Sequence, residues 1–548
     1  MIGRLFWVQI VKQKSYKEDA SRQYYTLSSK VFERGTIFFE GKDGQLVSAG
    51  TQVSGYKLAL NPALIKDKEK TYEEINKIFP LDKEEFMEKA EKKDDIYEEI
   101  QVNISLADGE KINKLKLAGV TTPSSKWRFY PGGGIASQTL GFVGYRGDEL
   151  GGRYGLERFY DAELSREKNS PKINFFAEVF TNIKKNLFSG SIQAGDVITT
   201  IDPTVAGVLE RELNAVKNKY NADGIGGIIM NPKTGAIYAI SAKPDFDPNN
   251  FGKVEDPVLY ANPLVENVLE FGSIVKPLVI AAGIDAGVIN ANTTYNDTGS
   301  VVIEKKEIFN FDKRGRGPGT TMQTVLNDSL NTGMVLAYQK LGRERMRDYM
   351  LSYGIKEKTG IDLPNETSGL VSNLNSPRDI EYANAAFGQG IALTPVEMIR
   401  ALASLGNGGV LVTPHLVEKI KYTSGETKEI TYPTKRAKIS PETSTEITRM
   451  LVTVMDKSLK GGAGKFDNYS VAVKTGTAQV ANSEGGGYYE DRHTHSFFGY
   501  FPAYDPEFIV LLYAINPKGV LYASQTWADP FIAITKFLIN YYQVPPDR

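Results

Sequence analysis

The chain has no cysteine and only three histidines in 548 residues. The missing thiols exclude disulfides, thiol nucleophiles and cysteine-ligated zinc, and they suit an oxidising extracytoplasmic compartment. The histidines are His415, His493 and His495. No Gly-x-Ser-x-Gly elbow and no His-Glu-x-x-His motif accompanies them, so neither a histidine-based serine triad nor a zincin is expected. His493 and His495 alternate on a probable strand near Asp491 and read as surface polar residues rather than a metal site, so no metal and no cofactor is expected. Net charge is absent too. The 65 basic and 66 acidic residues leave a formal charge of −1, which gives no field to attract a polyanion and speaks against nucleic acid as a partner. There is no long apolar run at the start: the stretch within Met1 to Val11 falls far short of the roughly 20 residues of a spanning helix, and no signal peptide is visible. Gly461-Gly462-Ala463-Gly464-Lys465 looks like a phosphate loop without the full spacing or the hydroxyl residue after lysine, and reads as a glycine-rich surface turn. No internal repeat or low-complexity tract occurs.

What is present is a globular chain, 41% hydrophobic, long enough for about two or three domains. A polar, helix-like start gives way before Asn61 to strand-like runs with turn chemistry at Gly41-Lys42-Asp43-Gly44. From about 62 to 116 the pattern is charge-dense and helical, notably Asp67 to Phe79 and Lys83 to Lys92, with alternating signs that suit solvated faces. Gly141 to Asp161 is strand and turn, with Tyr154-Gly155-Leu156-Glu157 as a structural junction. Residues 173–183 carry apolar side chains at helical spacing and read as a packed linker helix, with contact to a membrane surface as the alternative. Near Gly195 the composition shifts. A strand-like run, a helix and a hairpin with its turn at Asn231 to Gly235 open a second unit. Helical pieces follow to Ser404, then strands at Ser470 to Val473, Thr494 to Tyr500 and Phe508 to Ile515, and a terminal helix from Pro530 to Tyr541. The fold expected is α+β: a β-rich N-terminal module with a helical insert in residues 1–195, then a mixed sheet covered by helices in 196–548.

Three short motifs stand in order: Ser273-Ile274-Val275-Lys276, Ser329-Leu330-Asn331 and Lys474-Thr475-Gly476-Thr477. Ser-x-x-Lys also occurs at Ser54 and Ser165, and Lys-Thr-Gly at Lys233 and Lys358, so context decides. Only Ser273 follows a glycine and leads into an apolar run that reads as a buried helix. Lys233 lies in a hairpin turn, Lys358 has no strand before it, and Lys474 sits on a plausible strand edge. Ser-x-Asn occurs once. Pro277 lacks an N–H and belongs in a first helical turn, which starts the helix at about Ser273 and directs backbone N–H groups there. Lys276 then shares a face with Ser273. A serine hydroxyl needs a base, and a lysine serves if burial or nearby cations depress its pKa. Ser329 offers a hydroxyl for proton relay, and Asn331 a donor for a substrate carbonyl. Lys474, Thr475 and Thr477 offer charge and hydroxyls, and Gly476 would let the strand edge approach a ligand. The backbone N–H groups of Ser273 and Thr477 are candidates for an oxyanion hole.

With these residues in place, the chain resembles the class B penicillin-binding proteins, monofunctional peptidoglycan D,D-transpeptidases of the elongation or division type. The resemblance extends to Arg34-Gly35-Thr36-Ile37 and Tyr154-Gly155-Leu156-Glu157 of an N-terminal pedestal, and to Phe387-Gly388-Gln389-Gly390 with Thr394-Pro395. It implies that Ser273 is acylated by the D-Ala-D-Ala end of a stem peptide, with Lys276 as base, and that Ser329 and Asn331 complete the second motif. Lys474, Thr475 and Thr477 would hold the terminal carboxylate, and β-lactams would trap Ser273. It further implies a membrane-embedded glycan polymerase as partner, and a membrane-anchored protein with its bulk outside the cytoplasm. Arg4 to Arg22 is similar to the stretch after the family's single membrane helix, so an upstream segment is expected. Phe271 replaces the usual proline before Gly-Ser and Leu330 is bulkier than the usual middle residue, so both are expected to reshape the pocket. A D,D-carboxypeptidase or serine β-lactamase would share the three motifs, and a non-catalytic β-lactam sensor or scaffold would keep the fold.

Overall fold

The computed structural model describes residues 33–92, 95–147, 149–166, 194–482 and 485–548. The helix-like start and the segment 173–183 lie outside these residues. The described chain forms two compact units. It begins with the hairpin β1 (Ile37–Glu40) and β2 (Leu46–Leu60), joined at the turn the sequence predicts.

Residues 51–129, with 33–35 and 165–166, make the first unit. In it the distal part of β2 pairs antiparallel with β3 (Glu98–Ile104), β4 (Val120–Thr121) and β5 (Ser124–Phe129). The charge-dense segments become helices α1 (Lys68–Asn76) and α2 (Lys83–Ala90), followed after β3 by α3 (Leu106–Lys114). Asp67, Asp82 and Ser105 start them by accepting the N–H of Lys70, Glu85 and Asp108, as good N-caps do. Their few apolar residues, Ile75, Phe86, Ala90 and Ile112, pack with Leu58, Leu60, Ile100 and Ile104. The expected helical insert therefore contains a strand, because Glu98 to Ile104 alternates and completes the sheet.

The second unit takes residues 36–50, 130–164 and the chain from 194 onward. Here β6 (Gly195–Thr199) lies parallel to β1. Asp202 and Pro203 start α4 (Pro203–Tyr220), which leads to the hairpin β7 (Gly224–Met230) and β8 (Ile237–Lys243). Next comes α5 (Lys276–Asp285), buried on every side from Lys276 to Gly283, as its lack of a polar face requires. Where the sequence reads as helical pieces, the structure has four short strands: β9 (Thr294–Asp297) pairs β12 (Gly317–Thr321), and β10 (Ser300–Ile303) pairs β11 (Lys306–Phe309). Their turn signal is hidden because Glu304 and Lys305, not glycine or asparagine, take the positive φ of the tight β10–β11 turn.

Helices α6 (Met322–Asn327) and α7 (Asn331–Leu341) follow, then α8 (Pro395–Ala403), begun by the capping box of Thr394 and Glu397. Strand β13 (Val417–Tyr422) joins β6 antiparallel and makes that sheet mixed. After α9 (Pro441–Thr453) come β14 (Ala472–Ala481), β15 (Tyr488–Phe501), β16 (Phe508–Ile515) and α10 (Ala523–Tyr542). They complete an antiparallel five-stranded sheet in the order β8–β7–β16–β15–β14, with β14 at an edge. Helices α4 and α10 pack together and on this sheet, α8 and α9 also pack on it, and α5 packs against α7 and α9. The terminal helix begins at Ala523, earlier than predicted, and keeps Pro530 inside. Burial of Trp527 and Phe531 outweighs the hydrogen bond that proline removes. Among the described residues no helix is long and apolar enough to cross a membrane.

Candidate active site

Ser273 lies in a tight turn, Gly272–Ile274, that runs directly into α5 with Pro277 in its first turn. Gly272 has φ +61°, and a Cβ there would come within 2.9 Å of the Thr477 carbonyl oxygen. Its N–H donates to the Gly388 carbonyl at 3.1 Å, so the Phe387 to Gly390 segment buttresses the serine turn. On the other side, Ser496 Oγ donates to the Phe271 carbonyl at 2.7 Å. A Cβ on Gly476 would clash with both of these groups. Gly476 thus gives its space to the serine turn, whereas the sequence suggested a ligand. The result is that strand β14 lies directly against the residues flanking Ser273.

The second motif arises from how one helix stops and the next begins. The N–H of Leu330 donates to the Val325 carbonyl at 3.0 Å, and Ser329 sits at φ +56°. This is the Schellman ending of α6, with Ser329 in the left-handed position usually given to glycine. Leu330 and Val325 are both buried in the same core, as apolar residues at these positions of the motif commonly are. Phe271 is buried in the same core. Both unusual residues therefore turn into the core.

The reversal at Ser329 brings two groups to Lys276. Its amine donates to the Ser329 carbonyl at 2.6 Å and to Asn331 Oδ1 at 2.8 Å, and lies 3.3 Å from Ser329 Oγ. From β14, the Lys474 amine donates to the same Oγ at 3.1 Å and to the Thr475 carbonyl at 3.0 Å. One hydroxyl is thus held between two lysines that are 0% and 2% exposed. No carboxylate is within ion-pair distance of either amine among the described residues. Burial lowers the Lys276 pKa well below that of an ordinary lysine, and the positive charge of Lys474 lowers it further. Burial brings Lys474 down to about 7. A neutral Lys276 has two N–H bonds, which the Ser329 carbonyl and Asn331 Oδ1 can take, leaving its lone pair free to accept a proton.

Of the predicted residues, Lys276, Ser329, Asn331 and Lys474 are joined by hydrogen bonds, and Ser273, Thr475, Gly476 and Thr477 border them on the serine turn and β14. Ser273 Oγ forms no hydrogen bond among the described residues. Asn331 Nδ2 donates to the Phe309 carbonyl at 2.9 Å, so one of its two amide protons is already used and one is left for the substrate carbonyl it was expected to meet. Thr477 Oγ1 accepts the Ala523 N–H at 3.2 Å and keeps its own proton to donate. His495 is not a surface residue: it is buried beneath α10, with Nδ1 2.8 Å from Thr526 Oγ1, and burial pulls its pKa down to about 4. A further carboxyl, Glu270, stands three residues before Ser273. Its two oxygens accept the Tyr488 hydroxyl at 3.2 and 3.1 Å, and burial pushes it up to about 7. No periodicity or motif in the sequence marks it.

Comparison with known proteins agrees with this arrangement. Residues 225–535 match the penicillin binding protein transpeptidase domain, and residues 31–198 the penicillin-binding protein dimerisation domain. The chain is 32% identical over 517 residues to the stage V sporulation protein D of Bacillus subtilis, covering 91% of this chain and 77% of that one. It is 26% identical over 458 residues to the peptidoglycan D,D-transpeptidase FtsI of Escherichia coli, covering 82% of this chain and 73% of that one. Among solved structures, penicillin-binding protein 3 of Mycobacterium tuberculosis complexed with aztreonam shares the fold with a TM-score of 0.71 at 22% identity, over 94% of this chain and 98% of that one. Penicillin-binding protein 2X of Streptococcus thermophilus does so with a TM-score of 0.74 at 20% identity, over 93% and 80%. With both domains matched along its length and the three motifs gathered at one place, the chain belongs to the class B penicillin-binding proteins.

Proposed function

We propose that the protein is a serine-type D,D-transpeptidase that cross-links peptidoglycan stem peptides and is acylated by β-lactams. The observation that carries this reading is the convergence on the Ser329 hydroxyl, beside the Ser273 turn, of two buried amines that have no acid partner among the described residues. In the reaction proposed, Ser273 Oγ gives its proton to the Lys276 amine and forms a bond to the carbonyl carbon of the donor D-Ala-D-Ala amide. The backbone N–H groups of Ser273 and Thr477 receive the resulting oxyanion. The C–N bond then breaks, and the proton passes from Lys276 through Ser329 Oγ to the departing amine. A second strand's amine attacks the ester, its proton returns by the same path, and Ser273 regains its hydroxyl hydrogen. Asn331 orients Lys276 and offers its remaining amide proton to the substrate. Lys474 supplies positive charge behind Ser329, while Thr475 and Thr477 bind the terminal carboxylate along the β14 edge, where Gly476 keeps the strand close to the serine.

In this reading residues 1–195 serve as pedestal and 196–548 as the transpeptidase domain. The protein acts at the cell membrane with its bulk outside the cytoplasm, beside a membrane-embedded glycan polymerase. The matches to the two penicillin-binding protein domains support the division into pedestal and transpeptidase domain, while the membrane setting and the polymerase follow from the family resemblance. The test is to incubate the protein and its Ser273→Ala variant with a β-lactam and follow intact mass over hours. The expected result is a long-lived adduct of one drug on the wild type alone. An adduct that vanishes within minutes would make water the acceptor, as in a β-lactamase or carboxypeptidase. No adduct on folded protein would refute catalysis at Ser273.

A further inference from the structure

Asn331, the first residue of α7, has no cap from its own neighbour: Leu330 precedes it with an apolar side chain that makes no capping hydrogen bond. The cap comes from a distance. Asn310, at the end of the β10–β11 hairpin, places its Oδ1 3.0 Å from the Asn331 N–H and 3.2 Å from the Thr332 N–H. It thereby satisfies two of the N–H groups left open at a helix start. Asn310 is itself clamped. Its Nδ2 donates to both oxygens of Asp297 at 2.9 and 3.0 Å, and to the Arg314 carbonyl at 3.1 Å. The Asp297 carboxylate also accepts the N–H of Gly299 at 3.1 Å, the N–H of Arg316 at 2.9 Å and the Thr332 hydroxyl at 2.8 Å. Tyr295 donates to that hydroxyl in turn at 2.9 Å. Asp297 and Asn310 are each 1% exposed, and a carboxylate near a helix N-terminus is favourably placed. The neighbouring Phe309 carbonyl takes Asn331 Nδ2, which leaves Oδ1 turned toward Lys276.

We propose that Asn310, fixed by the buried Asp297 carboxylate, is a positioning residue for acyl transfer. By capping α7 from the hairpin it holds the Asn331 acceptor against Lys276. This rests on the proposed reaction and deepens it. Buried polar groups of this kind are costly unless every partner is present. Here all are satisfied, and the satisfied set ends on the amine that must take the serine proton. The groups that face Lys276 are Lys474 from β14 and Ser329 and Asn331 from the α6–α7 junction. An acceptor stabilises the ammonium more than the amine, so loosening Asn331 must lower the Lys276 pKa further while spoiling its aim.

The test is the second-order rate of acylation by a chromogenic cephalosporin from pH 6 to 10, scaled to the fraction of protein that can be acylated, with Tm recorded for each variant. Asn310→Ala is expected to lower the plateau rate about tenfold or more and to move the acid limb to lower pH. Thr332→Val, which keeps shape and loses the hydroxyl link, is expected to slow the reaction about threefold to tenfold, and Thr332→Ser to restore it to within about twofold. A merely structural role would lower Tm or the competent fraction and leave rate and pH profile in place, and that result overturns the proposal. If Asn310→Ala does not fold, the Thr332 pair decides: Thr332→Val reacting like wild type refutes the positioning role. Failure of the underlying reaction is separate, since it appears as wild-type protein that takes up no drug at Ser273.

Discussion

Replacing Lys474 by methionine keeps most of the volume of a buried side chain and removes one of the two amines on Ser329. Because the amines lie 3.3 and 3.1 Å from one oxygen, they are no more than about 6 Å apart, and at an effective dielectric near 20 two unit charges at that distance repel by ~3 kcal/mol. That is ~2 pH units in the affinity of Lys276 for a proton. Since Lys474 itself loses its proton at about 7, its average charge near neutrality is partial, and a shift of ~1 to ~2 units is the expected range. The sign is fixed: without Lys474, the Lys276 pKa rises, less of it is neutral, and the acid limb of the acylation profile moves to higher pH. The acid limb is expected to move up by ~1 to ~2 pH units, with the loss of rate confined to that limb and recovered near pH 10. The assay is acylation rate against pH for wild type and Lys474→Met, by stopped-flow or timed intact mass. A loss of equal size at every pH, with the limb unmoved, would refute the electrostatic role and leave Lys474 as a substrate contact alone.

Gly476→Ala places a methyl group against the Phe271 carbonyl and Ser496 Oγ. It is expected to push β14 from the serine turn and cut acylation by at least about tenfold while the helical core around α5 still melts cooperatively; parallel thermal melts and acylation rates check this. Glu270→Gln addresses stability. The Glu270 carboxyl is raised from 4.5 to about 7, so the folded protein holds a proton that the unfolded chain releases. Its stabilising contribution is fully present below pH 4.5 and is lost as pH rises through 7. The fall in Tm across that window is expected to be shallower in the glutamine variant, and parallel slopes would show that Glu270 does not titrate there.

The candidate residues Ser273 and Lys276 were legible because their signals are local: a glycine before the serine, an apolar run after the lysine, and a proline that belongs in a first helical turn. The β7–β8 hairpin was legible for a similar reason, since Asn231-Pro232-Lys233-Thr234-Gly235 carries its own turn signal. The β10–β11 hairpin was not, because Glu304 and Lys305 bend the chain against their own preference and its strands are too short to show alternation. Asn310 and Asp297 went unseen with it. Alternation places His493 and His495 on one face of β15, but it does not say what covers that face. In the structure α10 does, starting seven residues before the proline that suggested its beginning. Gly476 was noticed for the right property, lack of a side chain, while the group that uses the space belongs to a turn some two hundred residues away.

The strain at Ser329 explains why the second motif has a serine where a helix ending favours glycine. Holding a non-glycine residue in the left-handed region costs roughly 1 kcal/mol or more. Glycine would stop α6 equally well and still turn its carbonyl toward Lys276, the 2.6 Å contact that needs only backbone. What glycine lacks is the oxygen between the two amines. That oxygen can accept a proton from one nitrogen and give its own to another atom, which neither lysine can do toward a departing amine while its N–H bonds are engaged. The backbone reversal fixes where Ser329 stands and the side chain fixes what it can pass on. Leu330, the residue that follows, holds the reversal in place by its backbone bond to Val325 and by its burial in the core. The buried side chain of Leu330 anchors the turn, and the hydroxyl of Ser329 is what the strained conformation is there to present.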